Sequence, residues 1–315
     1  MHIDATAHYV PEKIITNDDL SQWLETSDDW IYSRTGIHER HVVTTETNFD
    51  LSLNVAQQLL AKSDVSATDL TFIIVATMSP DYATPAEANR LQAAIGATQA
   101  FALNVNVACS GFVYALEIAA RLLQSGQHGL VIGSEVLSRL VDWQDRRTAV
   151  LFADGAGGVL VTGDDQILTA DLRSFGDSEL ALTAGQQAPT TQFGPAPQNQ
   201  PFFAMDGRAV YQFAIREVPA SLNRALTAAQ MAPSAIDWYL LHQANARMLT
   251  SIAKKLDVES ERFGQNIEHY GNTSAASIAI LLSEMVANHQ IKRGDRLALA
   301  GFGGGLSVGS LILTY

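Results

Sequence analysis

Cysteine occurs once in the 315 residues. This excludes an intrachain disulfide framework and a zinc site built on several thiolates, and it suits a reducing compartment. No apolar run reaches the roughly 18 residues a membrane-spanning helix needs. The opening Met1-His2-Ile3-Asp4 lacks a basic stretch leading into an apolar one. A soluble, cytoplasmic protein with no membrane partner is expected. Charge is also sparse: Asp, Glu, Lys and Arg make up 17% of the chain, with 20 basic residues against 33 acidic ones and a net charge of -13. So few basic residues argue against nucleic acid, whose phosphates demand clustered Lys and Arg. An acidic partner would need a local basic patch. What abounds is apolar side chain, 47% of the residues, which places the chain among compact proteins of one large or two medium domains.

Several apolar runs recur in order. Phe72 to Thr77 and Trp238 to His242 read as strands buried on both faces. At nearly the same interval after each come Gly129 to Gly133 and Arg296 to Gly301. Each second run leads to a Gly-rich turn and a further strand: Asp154-Gly155-Ala156-Gly157-Gly158 before Val159 to Thr162, and Gly303-Gly304-Gly305 before Ser310 to Leu313. Helical patterns cover Ala86 to Ile95, Gly111 to Leu123, Asp206 to Ala228, Ala244 to Leu256 and Ser274 to Ala287. Such alternation predicts an α/β protein with a mostly parallel sheet covered by helices. A repeat of half the chain predicts two similar halves, 1–165 and 166–315, joined near residues 163–170. The stretch Ala184 to Pro201, rich in Gln, Pro and Thr, has no periodicity and reads as a loop.

The lone cysteine lies where the strand Ala102 to Val107 feeds the helix Gly111 to Leu123. Unpaired N–H groups and the dipole at a helix start favour a thiolate. By residue type alone, Cys109 reads as a small buried hydrophobe. The repeat supplies a test. The matching turn of the second half is Tyr270-Gly271-Asn272-Thr273-Ser274, and His242 closes an apolar strand with Asn245 one helical turn beyond. Taken singly, His242 reads as a core or capping histidine and Asn272 as a turn residue. Together, a Cys, a His and an Asn at strand ends of two matched halves sit where α/β sheets collect reactive groups.

Six ordered motifs resemble the β-ketoacyl-acyl-carrier-protein synthase III family of thiolase-superfamily condensing enzymes, over nearly the whole chain. They are Trp30-Ile31-Tyr32-Ser33-Arg34-Thr35-Gly36-Ile37 with Glu39-Arg40, Ala108-Cys109-Ser110-Gly111-Phe112, and Asp154-Gly155-Ala156-Gly157. The others are His242-Gln243-Ala244-Asn245-Ala246-Arg247, Gly271-Asn272-Thr273-Ser274-Ala275-Ala276-Ser277 and Phe302-Gly303-Gly304-Gly305. The resemblance implies a five-layered αβαβα thiolase-like fold of two pseudo-duplicated halves, a homodimer, and an acyltransferase of type II fatty-acid initiation. It implies no permanently bound cofactor and no metal. The substrates would be an acyl-coenzyme A primer and malonyl-acyl carrier protein, joined by decarboxylative condensation through acyl-Cys109.

Site residues follow from the same likeness. Cys109, His242 and Asn272 would form the triad, with the N–H groups of Cys109 and Gly304 as an oxyanion hole. Trp30, Arg34, Arg146 and Asn245 would bind coenzyme A. Gln243, Ala244, Asn245, Ala246 and Arg247, with Lys254 and Lys255 on the same helix face, would receive the carrier. Thr84 stands where the family often has Phe, at a position that reaches into the partner's acyl pocket, so a pocket roomier than acetyl requires is expected. Alternatives are a polyketide-starter or acyltransferase homologue, a Cys-His thioesterase, and a noncatalytic acyl-binding module.

Overall fold

Alternate residues of one strand face two different helical layers. Phe72, Ile74 and Ala76 pack with Phe112, Leu116 and Leu282, whereas Ile73 and Val75 pack with Leu51, Val55 and Leu91. That period of two, apolar on both sides, marks a sheet sandwiched between helices. The computed structural model describes residues 1–164, 169–177, 179–186, 194 and 201–315. The expected join between the halves at residue 165 lies outside the described residues, as does most of the Ala184 to Pro201 stretch.

The first sheet contains β1 (His2–Tyr9), β2 (Leu70–Ala76), β3 (Phe101–Val105), β4 (His128–Val136) and β5 (Asp154–Thr162), in the order β1-β5-β4-β2-β3. The second contains β6 (Thr169–Ser174), β7 (Trp238–Leu241), β8 (Arg296–Gly303) and β9 (Ser307–Thr314), in the order β7-β8-β9-β6. Reading β2, β4, β5, β1 beside β7, β8, β9, β6 shows the same succession of one parallel and two antiparallel pairings. A parallel bridge between Tyr239 and Phe263 stands where β3 pairs with β2 in the first sheet.

Three helical layers enclose the two sheets. Outside the first lie α2 (Asn48–Ala61) and α3 (Glu87–Ile95), with α1 (Asp28–Thr35) on the surface before them. Between the sheets lie α4 (Gly111–Leu122) and α7 (Ser277–Ala287), whose Phe112, Leu116, Ile278 and Leu282 share one core with both sheets. Outside the second lie α5 (Gly207–Ala228) and α6 (Ala246–Leu256). The expected five-layered α/β arrangement is therefore present.

Two sequence readings are corrected. The two sheets are not mostly parallel: three of their strand pairings are parallel and four antiparallel. Asp154 to Gly158 is the start of strand β5, not a turn before it. Gly157 lets α7 approach, since a Cβ there would fall 2.6 Å from the Ile280 nitrogen, and on neighbouring β4 a Cβ on Gly133 would fall 2.4 Å from the Ala275 carbonyl oxygen. Strand glycine here marks close approach of another backbone.

Candidate active site

Two short turns build the site. Between β3 and α4, Ala108–Ser110 forms a single 3₁₀ turn entered through Ala108 at φ +44°. Before α7, Ser274–Ala276 does the same through Ser274 at φ +48°. An Asn braces each. The Asn106 Oδ1 accepts from the Ala108 N–H at 3.3 Å, and the Asn272 Oδ1 accepts from the Ser274 N–H at 2.9 Å. This register pairs Asn106 with Asn272 and Cys109 with Ala275. The turns face one another across the central layer, with the position a Gly111 Cβ would take 3.4 Å from the Ala275 Cβ.

Asn272 is anchored to the first half. Its N–H donates to the Leu151 carbonyl at 3.0 Å, and its carbonyl accepts from the Ala153 N–H at 2.9 Å. With Oδ1 engaged, its amide NH₂ is the group left for the cavity. His242 extends β7 by donating its N–H to the Ala300 carbonyl at 2.8 Å. Its Nδ1 lies 2.7 Å from the Ser277 Oγ, and its ring meets Phe302 edge to face with centroids 5.2 Å apart.

Cys109, His242 and Asn272 line one cavity of about 180 Å³, walled by Phe152, Leu182, Met205 and Phe302. A smaller recess of about 50 Å³ continues from Cys109 past Met78, Phe152, Leu182 and Phe203 to Gly304. A larger groove of about 410 Å³ between Trp23, Thr44, Arg139 and Trp143 holds none of these groups. Among the described residues, no cluster of three His, Cys, Asp or Glu is arranged to hold a metal ion. No helix among them is long and apolar enough to cross a membrane.

Burial dominates the electrostatics. It pushes the Cys109 thiol up to about 12, assisted by the Glu135 charge, and pushes the His242 imidazole down to about 3. The sequence reading expected a thiolate favoured by the helix start. Cys109 sits within the 3₁₀ turn that precedes α4, and desolvation outweighs the dipole there. His242 is accordingly a neutral hydrogen-bond donor or acceptor and not a cation.

Glu135 is fully buried and was not anticipated. Burial raises its carboxyl to about 7, against hydrogen bonds from Ser79 and from the Met78 N–H. It also contacts Ser274, the residue against Cys109. Arg40, which closes the first of the six motifs, is structural. Fully buried, it donates to the Ile15 and Val150 carbonyls and to Asn17 Oδ1, beside the segment that anchors Asn272.

The guanidinium carbons of Arg34 and Arg146 lie 4.5 and 4.6 Å from the Trp30 ring centroid. Asn245 caps α6 and donates its Nδ2 to the Arg34 carbonyl at 2.8 Å. Gly36 permits that junction: at φ +78° its Cβ would lie 2.6 Å from the Ala246 Cβ. Ala244 and Asn245 line the cavity, and Arg247, Lys254 and Lys255 are exposed on α6.

Gln243, expected among the carrier contacts, is 1% exposed. Its Nε2 donates to the Leu241 carbonyl at 2.8 Å, and its Oε1 accepts from the Asn266 N–H at 3.2 Å. It braces the histidine loop from inside and presents no side chain to a partner. Thr84 is exposed in the single chain and lines neither cavity. Ser277 and Phe302, which position His242, were within quoted motifs but received no role; a hydroxyl opening a helix beside a buried His is the signal that points to Ser277.

Comparison with known proteins agrees with this geometry. Residues 226–315 match the family described as 3-oxoacyl-[acyl-carrier-protein (ACP)] synthase III C terminal, and residues 103–176 match 3-oxoacyl-[acyl-carrier-protein (ACP)] synthase III. A β-ketoacyl-[acyl-carrier-protein] synthase III of Levilactobacillus brevis is 53% identical over 100% of this chain and 98% of its own length. The solved 3-oxoacyl-[acyl-carrier-protein] synthase III of Aquifex aeolicus is 38% identical, covers 99% of both chains and superposes with a TM-score of 0.92. The priming β-ketosynthase of the R1128 polyketide pathway is 27% identical with a TM-score of 0.91, covering 99% of this chain and 95% of its own.

Proposed function

The chain belongs to the 3-oxoacyl-[acyl-carrier-protein] synthase III family, and on that premise we propose that it condenses an acyl-coenzyme A primer with malonyl-acyl carrier protein in the cytoplasm to begin fatty-acid synthesis. The convergence of Cys109, His242 and Asn272 on one cavity carries this reading.

In the first half-reaction Cys109 sulfur attacks the thioester carbon. The bond to coenzyme A sulfur breaks, and the proton leaving Cys109 ends on the departing thiol. In the second, the malonyl carboxylate leaves as carbon dioxide and its electron pair moves into an enolate. Donors from His242 and Asn272 hold the enolate oxygen, which rewards charge only as it develops. The enolate carbon attacks acyl-Cys109, and the oxyanion formed is held by the N–H groups of Cys109 and Gly304. Collapse expels the Cys109 thiolate, which takes a proton from solvent to restore the thiol, and releases 3-oxoacyl-carrier protein. Gly303 supports this placement of the β8 end, because a Cβ there would lie 3.2 Å from Cys109 Sγ.

Trp30 with Arg34 and Arg146 suits an adenine nucleotide, whose base takes a guanidinium's place on the indole while the cations meet phosphate. Trp30→Ala should raise KM for the acyl-coenzyme A roughly 5- to 30-fold, with kcat within about twofold, as loss of uniform binding predicts. Arg247, Lys254 and Lys255 supply the basic face for an acidic carrier, with Ala244, Asn245 and Ala246 at its edge. Among the described residues β3 has a strand partner on one side only, and its Phe101 is 45% exposed, which supports a homodimer formed along it. Thr84 lies in the exposed loop between β2 and α3, where a partner subunit could meet it.

The test is a series of primers from acetyl- to decanoyl-coenzyme A supplied with labelled malonyl-carrier. One carbon dioxide per coenzyme A released is expected, with turnover extending beyond acetyl. Coenzyme A release without carbon dioxide would make the protein a thioesterase. Sharp acetyl preference would remove the argument from Thr84.

A further inference from the structure

Ser277 opens α7 and is 2% exposed. Its Oγ accepts a hydrogen bond from the Gln243 N–H at 3.3 Å and lies 2.7 Å from His242 Nδ1. Among the described residues no other partner faces this hydroxyl. Counting donors settles where its proton goes. If Nδ1 carried a hydrogen, the oxygen would receive two donors and its own proton would have no acceptor. If Nδ1 is bare, all three groups are satisfied, as buried polar groups normally are.

We propose that Ser277 is a positioning residue that fixes His242 in the Nε2–H tautomer, so that the ring presents a donor to the cavity. The inference deepens the condensation reading and rests on it. The same turn sets both donors by one device. The Ser274 N–H occupies the Asn272 acceptor, the Ser277 O–H occupies the His242 acceptor, and an N–H of each is left for the developing enolate oxygen. Phe302 against the ring and Gln243 beneath the loop hold the orientation. Burial keeps the imidazole neutral, so the tautomer alone decides whether it donates. In the first half the equivalent position is Gly111, where a Cβ would meet the Ala76 Cβ at 3.2 Å; only the second turn carries the hydroxyl.

The experiment combines ¹⁵N-histidine NMR of the full chain with half-reaction kinetics. In the unmodified protein His242 should show a proton on Nε2 and none on Nδ1, the peak being assigned by its loss in His242→Gln. Ser277→Ala should mix the tautomers and slow condensation about 10- to 100-fold, with acylation of Cys109 within about twofold. Ser277→Thr should restore both signals. A proton on Nδ1 in the unmodified protein, or unimpaired condensation by Ser277→Ala, overturns the proposal. Should Ser277→Ala not fold, the spectrum of the unmodified protein decides alone. A correct tautomer in a protein that never acylates Cys109 would instead refute the condensation reading.

Discussion

Cys109→Ser should abolish acyl transfer from acyl-coenzyme A, lowering condensation by about three orders of magnitude or more. The substitution changes volume little, so the packing of Gly303 against this residue survives. What is lost is a polarisable sulfur and a thioester intermediate, which an oxyester replaces poorly as an electrophile. Burial already holds the thiol proton near 12; a hydroxyl starts several units higher and no strong base adjoins it, because His242 sits near 3. Cys109→Ala tests the complementary half. It removes acylation while leaving both enolate donors, so slow decarboxylation of malonyl-carrier should persist without condensation. Mass spectrometry for the acyl adduct and labelled carbon dioxide release read the two halves separately.

Asn272→Asp should cost about 10²- to 10³-fold in condensation while acyl-Cys109 still forms near the normal rate. One carboxylate oxygen can keep the bond from the Ser274 N–H, and the backbone anchors to Leu151 and Ala153 are untouched. The turn therefore stands. The other oxygen faces the cavity where an NH₂ stood, and it would repel the enolate that Asn272 is proposed to stabilise. Single-turnover measurement of coenzyme A release against carbon dioxide release distinguishes this from general damage, which would slow both. Equal loss in both steps would mean that Asn272 only holds the fold.

The paired strands and the five long helices predicted from periodicity all appear, within a few residues of the expected limits, because each carries an uninterrupted apolar signal. Of the segments missed, β1 alternates small and polar residues, His2-Ile3-Asp4-Ala5-Thr6-Ala7, whereas α2 carries a legible signal, the apolar stripe Leu51, Val55 and Leu59 after the reciprocal cap of Thr47 and Asp50. The Gly155 to Gly158 run was read as a turn because glycine propensity is local, whereas Gly157 answers to an Ile280 backbone more than 100 residues away.

At the site, residue types and strand ends were enough to bring Cys109, His242 and Asn272 to notice. Their electrostatics were not legible. The helix start beside Cys109 is a local feature, but the desolvation that outweighs it comes from Phe152, Phe302 and the central helices packed together. Gln243 was misplaced for a similar reason. A polar residue between His242 and Ala244 looks like surface, and only the folded loop shows its amide spent on Leu241 and Asn266.

The most direct test is intact-mass analysis in two stages. The protein is incubated with acetyl-coenzyme A, digested to locate any adduct, and then given malonyl-carrier. A single acetyl group on the peptide containing Cys109, discharged by malonyl-carrier with formation of 3-oxobutanoyl-carrier, is the predicted result. An unmodified Cys109 during turnover, or an adduct that malonyl-carrier leaves in place while product accumulates, would contradict the account.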